Sequence, residues 1–175
     1  MTVDTNGLDV QDEEELDKDQ LKQLVGFIIS NEVFGVDILM VQEIIRGAVV
    51  TPIPNAPEFV EGVINLRGNI IPVIDLRKRL NLYSGDQESG KNWVLLLDVD
   101  NRITGFVVDQ VTQVLKIEPD HIEPPPDIVV AGLESQYITG VCEIEDYLLI
   151  LLDFDRILLM DEIRKLKNIS KAKTA

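Results

Sequence analysis

The sequence predicts a mainly β protein built from two pseudo-symmetric five-stranded barrels, with short helices and a C-terminal helix. Two observations carry that prediction. The first is an internal repeat. Residues 62–76 read Gly-Val-Ile-Asn-Leu-Arg-Gly-Asn-Ile-Ile-Pro-Val-Ile-Asp-Leu, and residues 140–154 read Gly-Val-Cys-Glu-Ile-Glu-Asp-Tyr-Leu-Leu-Ile-Leu-Leu-Asp-Phe. Gly62 matches Gly140, Val63 matches Val141, and Asp75 matches Asp153. Upstream, Gly35 is followed by Ile38, Val41, Ile44 and Ile45, and Gly105 by Val108, Val111, Val114 and Leu115, at the same four offsets. Shared order over so long a stretch marks a duplicated unit. The second observation is strand length. The apolar runs are short and bounded by turn residues, about five to each copy. Such strands bury a face only by curling or by packing on another sheet. Small SH3-like or OB-like barrels are the simplest result.

The elements follow in order. Leu24–Ser30 is a buried strand, and Asn31-Glu32 turns the chain into Val33–Asp37. The apolar spacing over 38–45 suits a short helix, while valine at the matching places of the second copy favours a strand. We read a turn leading into a strand near Val41–Arg46. Pro52, Pro54 and Pro57 then force an extended loop. Gly62–Leu66 and Ile70–Leu76 form a hairpin with Arg67-Gly68-Asn69 at its tip, where Gly68 can take positive φ. Pro72 has no N–H for a ladder, so its strand lies at an edge there or turns that position away. Asp75 caps a short helix, Leu76–Leu80, whose cations Arg77, Lys78 and Arg79 suit the helix dipole.

The polar stretch 84–92 joins the two copies. The first barrel spans about 22–83 and the second about 93–155, with elements able to exchange between them. An apolar pattern through Ile157, Leu158, Ile163 and Leu166 predicts a C-terminal helix over 156–168, which runs on from the end of a folded region of 21–160 and is followed by a basic tail, 169–175.

The formal net charge is −15, and much of it is local. Residues 1–20 hold eight carboxylates against Lys18 alone, a composition that reads as a disordered tail. Cations Arg164, Lys165, Lys167, Lys171 and Lys173 gather at the other end. With that overall charge they do not make a nucleic-acid surface, which needs a net basic face. No apolar run reaches the roughly 20 residues of a membrane helix, so no membrane insertion is expected. The acidic start does not resemble a secretory signal, and the chain reads as cytoplasmic.

The residues that carry chemistry do not converge. His121 is the only histidine and stands among Glu118, Asp120, Glu123 and prolines, as a surface loop residue would. A general base or metal ligand there is the competing reading, and a small enzyme using His121 is the functional alternative. Cys142 is the only cysteine and lies within an apolar strand. It cannot form an internal disulfide, and a buried thiol is inert. Phosphate-binding, dinucleotide-binding and nucleophile-elbow motifs are lacking. We expect no catalytic residues, no metal site and no cofactor, and therefore a binding protein.

One specific motif set remains. Phe34-Gly-Val-Asp-Ile-Leu-Met-Val-Gln-Glu-Ile-Ile45, Pro52-Ile-Pro-Asn-Ala-Pro57, Gly62-Val-Ile-Asn-Leu-Arg-Gly68 and Ile71-Pro-Val-Ile-Asp-Leu-Arg77 resemble the CheW family of chemotaxis adapters. Gly105-Phe-Val-Val-Asp-Gln-Val111 and Ile122-Glu-Pro-Pro-Pro126 continue the resemblance, which covers about residues 22–160. It implies an adapter of two-component signalling that performs no chemistry. The adapter would join the cytoplasmic tips of methyl-accepting chemotaxis receptors to the regulatory domain of the CheA histidine kinase, in arrays at the membrane. The family implies a receptor contact at Arg67, with Asn65 beside it and Val41 and Glu43 at further partner-binding positions. It implies a kinase contact at Gly62 and in the loop from Glu123 to Ile128. This chain has an acid, Glu123, where some members carry a base. A paralogous adapter serving twitching or gliding motility fits the same residues.

Overall fold

A computed structural model describes residues 20–82, 93–125 and 135–158. The expected tails (1–20, except Gln20, and 169–175), residue Ile128 and the helix span beyond Leu158 lie outside the described residues. In chain order the strands are β1 (Lys22–Ile29), β2 (Glu32–Asp37), β3 (Val41–Arg46), β4 (Val60–Leu66), β5 (Asn69–Asp75), β6 (Trp93–Val99), β7 (Arg102–Val108), β8 (Gln110–Ile117), β9 (Ile138–Ile144) and β10 (Tyr147–Leu152). One-turn helices α1 (Leu76–Arg79) and α2 (Phe154–Ile157) follow β5 and β10, and a 3-10 turn, Ile38–Met40, precedes β3. The helical spacing over 38–45 thus resolves into that turn followed by a strand. The Asp153 side chain accepts the Arg156 N–H and caps α2, which closes at Leu158 where the backbone is extended, and the rest of the expected helix over 156–168 lies outside the described residues.

The strands form two five-stranded sheets, ordered β8-β1-β2-β10-β9 and β3-β6-β7-β5-β4. Exchanging each strand for its counterpart in the other copy turns one order into the other. Neither sheet is built from one copy alone: β1 and β2 join three strands of the second copy, and β6 and β7 join three of the first. β10 lies parallel to β2 and β5 parallel to β7, and the other pairings are antiparallel. Pro72 fits within a central strand because β5 meets β7 only from Val73 to Asp75, so Pro72 faces only Val63 of β4.

Each sheet curls until its two outer strands approach. Thr51, just after β3, exchanges two backbone hydrogen bonds with Val63 of β4, at 2.8 and 2.9 Å. At the matching place Glu123, just after β8, exchanges two with Val141 of β9, both at 2.9 Å. Both bridges require a glycine. A Cβ on Gly62, whose φ is +149°, would run into the Thr51 carbonyl, and one on Gly140 would lie 2.7 Å from the Ile122 side chain.

Inner strands such as β6 and β10 are apolar on both faces because both are buried, whereas the outer strands β3 and β8 are partly exposed. In β6, Val94 and Leu96 point inside their own sheet with Ile64, Ile71 and Val107, while Leu95 and Leu97 join the core between the sheets. In β10, Leu149 and Leu151 pack inside with Leu24 and Cys142, while Ile150 and Leu152 face the shared core. Four phenylalanines bridge the sheets. Phe27 stacks on Phe34 at 5.8 Å between ring centroids, and Phe154 touches Phe27 at 6.5 Å and Phe106, edge-on, at 4.9 Å. One core therefore holds both sheets together.

Candidate partner-binding surfaces

The first hairpin ends in a two-residue turn. Leu66 pairs with Asn69, so the loop is Arg67-Gly68 and Asn69 belongs to the strand. Both turn residues have positive φ, +52° at Arg67 and +85° at Gly68, as a type I′ turn requires. The Asn65 side chain accepts the Gly68 N–H at 3.1 Å and fixes the tip from below. The matching turn of the second copy, Glu145-Asp146, has positive φ only at Glu145. The two tips therefore differ in charge and in shape.

Arg67 is held toward one side. Its guanidinium donates to both carboxylate oxygens of Glu43 on β3, at 3.1 and 3.3 Å. The side chain of Arg67 remains 74% exposed and that of Glu43 35%. The pair spans the seam between the outer strands β3 and β4, which brings three of the expected receptor-contact residues, Arg67, Asn65 and Glu43, into one patch. Val41 lies at the start of the same strand, half-buried against the shared core, with a bulge separating it from Glu43. Two apolar side chains of the same chain segment are exposed, Leu39 in the turn before β3 and Ile44 on the strand face opposite Glu43. Ile44 has a counterpart in Val114, at the same offset in β8 and also exposed.

The residues expected to meet the kinase are not grouped in this way. Gly62 is buried in β4 beneath Thr51, whereas Glu123 is exposed and bridged to β9 in the other sheet. Gly62 has no side chain to offer, and its place in the fold is to admit the Thr51 carbonyl.

The His121 side chain is 67% exposed, and its Nε2 lies 3.5 Å from the Glu118 carboxylate. Among the described residues no three His, Cys, Asp or Glu side chains gather as metal ligands. Nor is any helix long and apolar enough to cross a membrane. Cys142 is buried. That burial, together with the charges of Glu123 and Glu143, pushes its thiol pKa up. Less of it is thiolate at pH 8 than in an ordinary cysteine. An aromatic disulfide reagent at pH 8 should therefore label Cys142 at least about tenfold more slowly in the folded protein than in the urea-unfolded chain. Equal rates would refute the buried placement.

Both arginines of α1, expected from the sequence to serve the helix dipole, have other partners. Arg77 is buried. It donates to both oxygens of Asp75, each at 3.2 Å, and to Asp109 at 3.2 Å. Desolvation works against its charge, but the Asp75 hydrogen bonds and the fields of Asp75 and Asp109 prevail and hold its pKa above the ordinary value. Arg79 donates to the Ile157 carbonyl at 2.9 Å and lies over the rings of Phe59 and Tyr137, at 5.3 and 5.2 Å. Those two rings belong to matching positions, since Asp75 N–H bonds the Phe59 carbonyl and Asp153 N–H the Tyr137 carbonyl.

Residues 23–162 match the family model described as the CheW-like domain. The chemotaxis protein CheW of Treponema pallidum (strain Nichols) is 36% identical over 154 residues, covering 86% of this chain and 90% of that protein. The CheW of Klebsiella aerogenes is 38% identical over 146 residues, covering 83% and 87%. The crystal structure of the scaffolding protein TtCheW from Thermoanaerobacter tengcongensis superposes with a TM-score of 0.72 at 32% identity, covering 81% of this chain and 95% of that one. The internal repeat, the paired sheets and the sequence likeness over most of the length lead to one conclusion: this chain belongs to the CheW family.

Proposed function

We propose that the protein is a non-catalytic adapter that couples the cytoplasmic tips of chemoreceptors to the regulatory domain of the CheA histidine kinase and helps build their array at the membrane. The observation that carries this reading is the patch at the first hairpin tip. A type I′ turn, braced by Asn65, presents an exposed guanidinium paired with Glu43, and the chain segment that carries Glu43 also holds the half-buried Val41 and the exposed apolar Leu39 and Ile44. A planar guanidinium on a rigid tip suits the carboxylates and carbonyls of a receptor helix, and apolar neighbours supply the desolvated anchors of a reversible interface. We assign the kinase contact to Glu123, which is bridged to the opposite sheet, and to Ile128, with Gly62 acting through the shape it gives its hairpin.

Co-precipitation with CheA and a receptor signalling fragment, singly and together, tests the function. An adapter forms the ternary complex, and failure with both partners overturns the reading. The role of Arg67 needs a separate test, because its bond to Glu43 gives it a second employment within the fold. Arg67→Glu should weaken receptor-fragment binding about tenfold or more, the scale of a lost hydrogen bond to a charged group. Stability should fall by no more than about 1 kcal/mol, as for other exposed pairs. Combining Arg67→Glu with Glu43→Arg restores an internal ion pair with its sign reversed. Binding that returns in the double variant would show that the pair, and not a receptor contact, is what Arg67 supplies.

A further inference from the structure

The repeat places two equivalent junctions where the sheets meet, and they are built differently. At the first, Arg77 of α1 is nearly fully buried and holds Asp75 at the end of β5 and Asp109 at the crossing from β7 to β8. Asp109 in turn accepts the Ser30 N–H, at 2.6 Å, in the β1–β2 turn of the other sheet. One guanidinium thus ties the two sheets together.

At the second junction the repeat puts Asp155 in the place of Arg77 and Leu39 in the place of Asp109, and both are exposed. The carboxylate of Asp153, the match of Asp75, meets only the exposed Arg156 among described residues, with its guanidinium at 3.5 Å. The corresponding space is a cavity of about 300 Å3, lined in part by Gly35, Asp37, Met40, Thr139, Asp153 and Asp155.

We propose that the molecule is hinged. The Arg77 junction is the fixed side, Arg79 ties α1 to α2 between the two junctions, and the Asp153 junction is the side at which the sheets part. Segments with few tertiary ties open first in a native protein, and a bistable contact between packed layers is what a binding event can bias. The hinge does not depend on the adapter reading.

Native-state hydrogen exchange on the whole protein tests this. The amides of Asp75 and Asp153 are matched probes, bonded to Phe59 and Tyr137 carbonyls at 2.8 and 2.9 Å. The Asp153 amide, with those of Ile157 and Leu158, should exchange at least about tenfold faster than the Asp75 and Leu80 amides. Asp155→Arg supplies the missing guanidinium and should slow exchange at Asp153 toward the Asp75 rate. Arg77→Met should speed exchange at Asp75 and Ser30. If that variant does not fold, Asp155→Arg decides alone. Equal protection of the two amides in the native protein, or no slowing at Asp153 in Asp155→Arg, overturns the hinge.

Discussion

Gly62→Ala should cost about 3 kcal/mol or more of folding stability, the scale of a substitution that forces both backbone strain and a buried clash. The new Cβ would meet the Thr51 carbonyl at a φ of +149°, which alanine rarely adopts. Relief requires Thr51 to move, and that breaks both hydrogen bonds of the Thr51–Val63 bridge. Gly68→Ala is the control. Its φ is +85°, but nothing lies within 4 Å of the added carbon, so only the backbone cost of about 1–2 kcal/mol applies. Denaturant midpoints of the two variants at equal protein concentration check the ranking. If Gly62→Ala is no worse than Gly68→Ala, the seam is not held by the Thr51 bridge. Receptor binding should follow the same order, because the strand that carries Arg67 leads directly out of Gly62.

Phe154→Ala should destabilise by about 3–5 kcal/mol, as expected for a fully buried aromatic whose cavity cannot collapse. Phe154 is 1% exposed and packs on Phe27 in one sheet and Phe106 in the other, so the hole would open in the layer that joins the two sheets. Thermal unfolding should remain a single transition at a lower temperature. Two separate transitions would mean that the sheets are independent units, contrary to their shared core.

Much of the fold was legible in the sequence because the repeat was. The hairpin, its glycine and its closing aspartate recur in order, and the positions of strands and turns follow from that alone. How strands pair is less legible. In β6 the run Val94-Leu-Leu-Leu97 shows no alternation, because its two faces enter two different cores. Such a run says "buried" without saying against what, and a division into successive barrels at 22–83 and 93–155 cannot show which strands cross between sheets.

At the candidate site the hairpin tip was readable from Asn-Leu-Arg-Gly. The positive φ of Arg67 and its pairing with Glu43, 24 residues earlier, were not, since neither follows from local pattern. Arg77 was missed for a different reason. A cation after a helix cap reads as solvated, and only the contrast between Asp-Leu-Arg in the first copy and Asp-Phe-Asp in the second hinted at a separate role.

The distribution of strands has a consequence for how such a chain can arise and fold. A single copy of the unit has an orphan hairpin, β1-β2, on one side and an orphan trio, β3-β4-β5, on the other, and it cannot complete a sheet with them. Two identical copies could, each lending its trio to the other's hairpin, as in a domain-swapped dimer. The present chain has the topology of that dimer written as one polypeptide. Joined in one polypeptide, the halves need not be equal, and one hairpin tip and one junction can differ from the other. The cost of that topology is long-range closure, since the first hairpin pairs outward only with strands more than 80 residues downstream.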